Sequence, residues 1–83
     1  MNKKTMVYVE WKDATSEGPD WVSQEEANTE LAICHSVGFV HNEDKEKITI
    51  LLSYGESDVS QSLTIPKVWI VKIKKLRTCG DYK

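Results

Sequence analysis

One proline constrains this chain more than any other residue. It interrupts the run Ser62-Leu63-Thr64-Ile65-Pro66-Lys67-Val68-Trp69-Ile70-Val71-Lys72-Ile73-Lys74-Lys75-Leu76. That run is rich in β-branched side chains, which suit pleated surfaces and lose rotamer freedom in helices. Pro66 has no N–H to give to a strand ladder, so it splits the run into two strands. A tight turn or one turn of 3₁₀ helix must join them. The same bias holds throughout: valine and isoleucine number 14 and threonine 6, against 8 for leucine and alanine together.

Three further strands read from alternation. Thr5 to Lys12 places Val7, Val9 and Trp11 on one face and Met6, Tyr8 and Glu10 on the other. Ile33 to His41 runs into the polar turn 42–46, and Lys47 to Tyr54 returns as the second arm of a hairpin. Gly38 predicts a bulge or a sharp bend of the kind barrel corners need. Between the first two strands, 13–20 reads as a loop. Ser23 and Glu26 then form a capping box for one short helix at about 24–30. Residues 55–61 read as a second loop and 77–83 as a frayed tail. Five short strands with a break before the last predict a mainly β fold, a small SH3-like or Sm-like barrel with the helix inserted between strands 1 and 2. An OB-type barrel is the alternative.

Eighty-three residues make one small domain spanning 1–83, and so short a chain buries only about 60–65% of its unfolded surface. Assembly into a homo-oligomer is therefore expected. Thirteen acids against 11 bases give a net charge of −2, which argues against a general DNA coater. The charge is segregated, however. Residues 1–12 carry +2, 13–46 carry −8 and 47–83 carry +4. Lys67, Lys72, Lys74, Lys75 and Arg77 are candidates for an anion site, with the acidic stretch folded over the basic last strand as the plainer reading. Two cysteines do not make a disulfide framework. The apolar stretch after Lys4 is cut by Glu10, too early for a signal peptide, and no window is long enough to span a membrane. The expectation is a soluble intracellular protein with reduced thiols.

Catalytic chemistry finds no footing. Cys34 and His35 are adjacent on a strand and point to opposite faces, while His35 and His41 lie about 20 Å apart along it, so no metal site is expected. Ser36, Ser53 and Ser62 lack a nucleophile-elbow pattern, and the carboxylates Glu43, Asp44 and Glu46 sit at a solvated hairpin tip. The glycines at 18, 38, 55 and 80 are too scattered to cradle a phosphate. The sequence predicts no enzyme, no catalytic residue and no cofactor.

Aromatic residues remain. Trp11 and Trp69 are expected largely in the core, while Trp21 sits in the acidic loop. An aromatic beside a lysine is the combination that stacks a base and neutralises a phosphate. The candidate ligand-binding set is accordingly Tyr8, Trp11, Trp21, Tyr54, Thr64, Lys67, Lys72 and Lys74. Lys67 follows a rigid proline, with the Thr64 hydroxyl expected nearby.

The ordered blocks Val9-Glu10-Trp11-Lys12-Asp13, Ser36-Val37-Gly38-Phe39-Val40, Ile48-Thr49-Ile50 with Ser53, and Leu63-Thr64-Ile65-Pro66-Lys67 with Ile70 and Ile73 cover roughly 7–76. In this order they resemble a widespread group of small, largely uncharacterised proteins encoded by tailed bacteriophages. The acidic segment Glu17 to Glu30 departs from that group. The resemblance implies an accessory protein of the bacterial host cytoplasm that acts by binding, often against host defence. Three functions follow as expectations. The first is a homo-oligomeric sponge for a small anionic nucleotide, most sharply a cyclic nucleotide immune signal. The second is an inhibitor or acidic decoy of a host defence protein, working through 13–46. The third is an Sm-like nucleic-acid-binding module working through the basic last strand, which the net charge disfavours, with DNA an unlikely partner.

Overall fold

A computed structural model describes residues 3–14, 24 and 31–82. Five strands form one antiparallel sheet: β1 (Met6–Ala14), β2 (Leu31–Glu43), β3 (Lys47–Tyr54), β4 (Val59–Pro66) and β5 (Ile70–Leu76). Their spatial order is β4-β3-β2-β1-β5. A 3₁₀ turn, Lys67–Trp69, follows Pro66 and leads into β5, as the missing proline N–H requires. Among the described residues there is no α-helix. The helix expected at 24–30 lies outside them, except for Gln24, which is in a turn.

The fold is mainly β, but a closed barrel is not what the ladders make. No pairing joins β4 to β5, so both are edges of an open sheet. That sheet is far from flat. In a flat one β4 and β5 would lie about 19 Å apart, four strand spacings, with a further offset along the strands. Pro66 pairs beside the β2–β3 turn, whereas Ile70 pairs with Trp11 and so lies level with Cys34, nine residues back along β2 from Glu43. That offset is about 30 Å. Four chain steps reach at most about 14 Å. The connection therefore exists only because β2 bends and the sheet rolls.

The rolled side holds the core. Val7 and Val9 of β1, Ile48 and Ile50 of β3 and Ile65 of β4 are buried together, with Trp11, Val40 and Ile70 packed against them. Alternation along β1 places Val7, Val9 and Trp11 on this face, whereas in β3 it breaks after Ile50, with Leu51 buried and Leu52 exposed. The registers slip between Val40 and Asn42 on β2 and between Glu10 and Trp11 on β1. No register slip falls at Gly38 itself, and the glycine there answers to a close approach. A Cβ built there would meet the Leu51 carbonyl oxygen at 2.9 Å and Ile50 Cβ at 3.0 Å. Only glycine lets β3 cross β2 so closely.

The hairpin turn is drawn tighter than the 42–46 expected, by one carboxylate. Asp44 Oδ1 accepts from the backbone N–H groups of Glu46 (2.8 Å) and Lys47 (3.0 Å), and Oδ2 accepts from Lys47 Nζ at 3.1 Å. Asn42 and Glu43 are thereby free to extend β2.

Gly38→Ala is expected to cost about 1–3 kcal/mol in urea unfolding, the scale of overpacking. Gly55→Ala, whose Cβ would meet only the Asp58 carbonyl at 3.8 Å, should change stability by no more than about 0.5 kcal/mol. Equal effects of the two would contradict the close crossing.

Candidate functional site

β1 lies between β2 and β5, and its outward residues meet outward residues of both neighbours. Tyr8 is opposite Val37 and Lys74, and Glu10 is opposite His35 and Lys72. Five polar or aromatic side chains thus share one patch of the outer face. The Tyr8 and His35 rings stack with centroids 6.1 Å apart and planes 18° from parallel. Tyr8 Oη and His35 Nδ1 share a hydrogen bond of 2.8 Å. Glu10 bridges the pair to β5: Oε1 is 3.9 Å from His35 Nδ1 and Oε2 is 3.6 Å from Lys72 Nζ.

Desolvation against the sheet, and then the neighbouring Glu10 carboxylate, hold the Tyr8 phenol above its ordinary range. It stays a neutral ring at physiological pH, suited to stacking. The His35 side chain is 57% exposed, so one ring of the stack is open to a ligand. Lys72 and Lys74 border the stack on one side, with Lys12 further along the same face. Among the described residues of this patch their charge outweighs that of Glu10.

The other expected site residues go elsewhere. Trp11 is on the inner face, where its indole N–H donates to Ser36 Oγ at 3.0 Å and its ring stacks on Trp69 at 6.3 Å. Tyr54 meets Phe39 edge-on at 5.0 Å and lies under Lys4, whose Nζ is 5.6 Å from the ring centre. Thr64 does not lend its hydroxyl to Lys67, because its Oγ1 shares a 2.8 Å hydrogen bond with Thr49 Oγ1 across β3 and β4. Lys67 sits at the corner but is already paired, with Nζ 2.7 Å from Glu43 Oε2 and its backbone N–H donating to the Glu46 carbonyl at 2.7 Å. Trp21 lies outside the described residues. Of the seven candidates among the described residues, Tyr8, Lys72 and Lys74 come together. His35 and Glu10 join them through a register that no local pattern announces.

Among the described residues no group of three or more histidine, cysteine, aspartate or glutamate side chains is placed to hold a metal ion. None of their helices is long and apolar enough to cross a membrane. No family model, curated protein or solved structure matches the chain.

The tip of the β2–β3 hairpin has a definite pH response. Hydrogen bonds from the Glu46 N–H, the Lys47 side chain and the Lys47 N–H lower Asp44 from 3.8 to about 2. A carboxylate depressed in the folded state adds stability above its unfolded pKa, and that stability fades as pH falls through the folded value. The Asp44 resonance should titrate near 2 by NMR. Acid destabilisation between pH 4 and 2 should be weaker in Asp44→Asn than in the parent, since the variant has already lost that carboxylate.

Proposed function

We propose that this is a non-enzymatic binding protein whose outer sheet face takes a small nucleotide-type anion. The observation that carries the reading is the Tyr8–His35 stack bordered by Lys72 and Lys74. Exposed aromatic rings on a sheet offer a π-face to a base, and lysines beside them offer charge to its phosphates. A stretch of polynucleotide is a poorer fit. The chain is acidic overall, and its positive patch is only a few side chains wide.

With the resemblance to phage-encoded proteins, the reading sharpens to an accessory protein of the bacterial cytoplasm. It would be a homo-oligomeric sponge that sequesters a cyclic nucleotide immune signal. The strand order and the 3₁₀ turn before the last strand support an SH3-like or Sm-like module, opened where a barrel would close. Lys67 would play no direct part, because an anion there must displace Glu43.

Native mass spectrometry and calorimetry with a panel of cyclic dinucleotides and mononucleotides test the reading. Binding of at least one panel member is expected, weakened by about 1–3 kcal/mol in Tyr8→Ala, the scale of a base–aromatic stack. Lys72→Ala with Lys74→Ala should also weaken it and lower its salt dependence. Lys67→Ala should leave it unchanged. A panel that shows no binding at all would end the proposal.

A further inference from the structure

An open sheet has edges, and natural proteins blunt them with lysines, prolines and bulges. Two of the long edges here are protected in that way. β5 carries Lys72, Lys74 and Lys75 and a bulge at Val71, which the register with β1 skips. β4 ends in Pro66 and kinks at Gln61, whose φ is 39°. The short free side of β1 carries Lys12 and Asp13.

The third long edge is different. β2 meets β3 only from Phe39 onward. Among the described residues, nothing pairs with the opposite side of Leu31-Ala32-Ile33-Cys34-His35-Ser36-Val37. This segment has no lysine, arginine, aspartate or glutamate, no proline and no bulge. Ile33 is 46% exposed and Val37 60%. A groove of about 300 Å³, bordered by Ser36, Val37, Leu52 and Leu63, runs beside it.

We infer that this edge pairs with the same edge of a second copy, antiparallel about a two-fold axis, and joins two sheets into one. The inference deepens the proposed function, since it rests on the homo-oligomer in that reading and names its interface. The segment is self-complementary. A two-fold axis normal to the sheet keeps outer faces together when paired residue numbers have an even sum. Gly38 is crowded by the Leu51 carbonyl, so the incoming strand stops at Val37 and the axis falls at Cys34. Small residues then meet on the inner face: Ala32 opposite Ser36, and Cys34 opposite itself. On the outer face Ile33 meets His35. Two Tyr8–His35 stacks flank the axis on one continuous face, an arrangement that suits a ligand with its own two-fold symmetry.

The test reads mass without any ligand. In solution the protein should have twice the chain mass or an even multiple of it. Ile33→Lys with Val37→Lys places four lysines across the axis at sites already exposed, and should yield a folded monomer by circular dichroism and light scattering. In a Cys79→Ser background, a thiol oxidant should cross-link Cys34 to Cys34, because directly opposed residues have Cα atoms about 4.5–5.5 Å apart, within disulfide reach. A monomeric parent, or a double-lysine variant that keeps the parent's mass, would overturn the inference. A dimer that cross-links at Cys34 but binds no nucleotide would support the edge pairing and defeat the sponge. A monomer that binds nucleotide would overturn the edge pairing and the oligomeric form of the sponge, and would leave only the binding face.

Discussion

Three residues tie together the two outermost strands of this sheet, and the rest of the architecture follows from that short tether. Lys67, Val68 and Trp69 can join β4 to β5 only if the sheet rolls. Rolling brings the β2–β3 turn onto the start of β5, where Lys67 clasps Glu43 and the Glu46 carbonyl. It also lays Trp69 against Trp11. The stacked indoles cover the end of the core that a flat sheet would leave to water. Half of that cover is exposed, with Trp69 45% accessible. The seal is therefore partial, as befits a sheet whose edges do not meet.

The roll divides the side chains by function. Every residue of the buried cluster points inward from β1, β3 or β4, and β2 supplies mainly small residues there, Ser36 and Gly38. The outward residues Tyr8, Glu10, His35, Lys72 and Lys74 lie outside the buried cluster. They are free to be tyrosine, histidine, glutamate and lysine in register. A substitution at Tyr8 or Lys74 should therefore cost little stability, while one at Val9 or Ile65, both fully buried, should be felt throughout.

The strands were legible because their signals are local. Alternation in Lys47–Tyr54 gave that strand's limits, and Pro66 announced both a strand end and the 3₁₀ turn. No periodicity announces the capping by Asp44 or the start of β4 at Val59, so β2 is longer than Ile33 to His41 and β4 takes up part of the loop expected at 55–61. Closure is not legible in the sequence, because barrel and rolled open sheet share the same strand count and the same proline break. They differ only in whether two edges hydrogen-bond, which no periodicity encodes. The binding patch was half legible. Tyr8, Lys72 and Lys74 are conspicuous by type, but His35 and Glu10 join them only through pairings across 25 and 62 residues. The reading of Thr64 failed for a similar reason. Its hydroxyl answers to Thr49 on the neighbouring strand rather than to Lys67 along its own.

The remaining balance is between burial and chain entropy. Among the described residues only six hydrophobic side chains are buried, while Ile33, Val37, Leu52, Val59, Leu63, Val71 and Ile73 stay in contact with water. Each ordered residue costs about 1–2 kcal/mol of backbone freedom, and an isolated two-stranded ribbon such as the distal end of β1 and β2 is marginal in water. Four of those exposed side chains, Ile33, Val37, Leu52 and Leu63, lie on or beside the one long edge that carries no protecting charge. Among the described residues, part of the apolar surface that folding leaves uncovered and one row of unpaired backbone groups are thus in the same place. A single association along β2 would satisfy both and would stiffen the strand that carries His35. Folding, assembly and the shape of the ligand face would then depend on one contact.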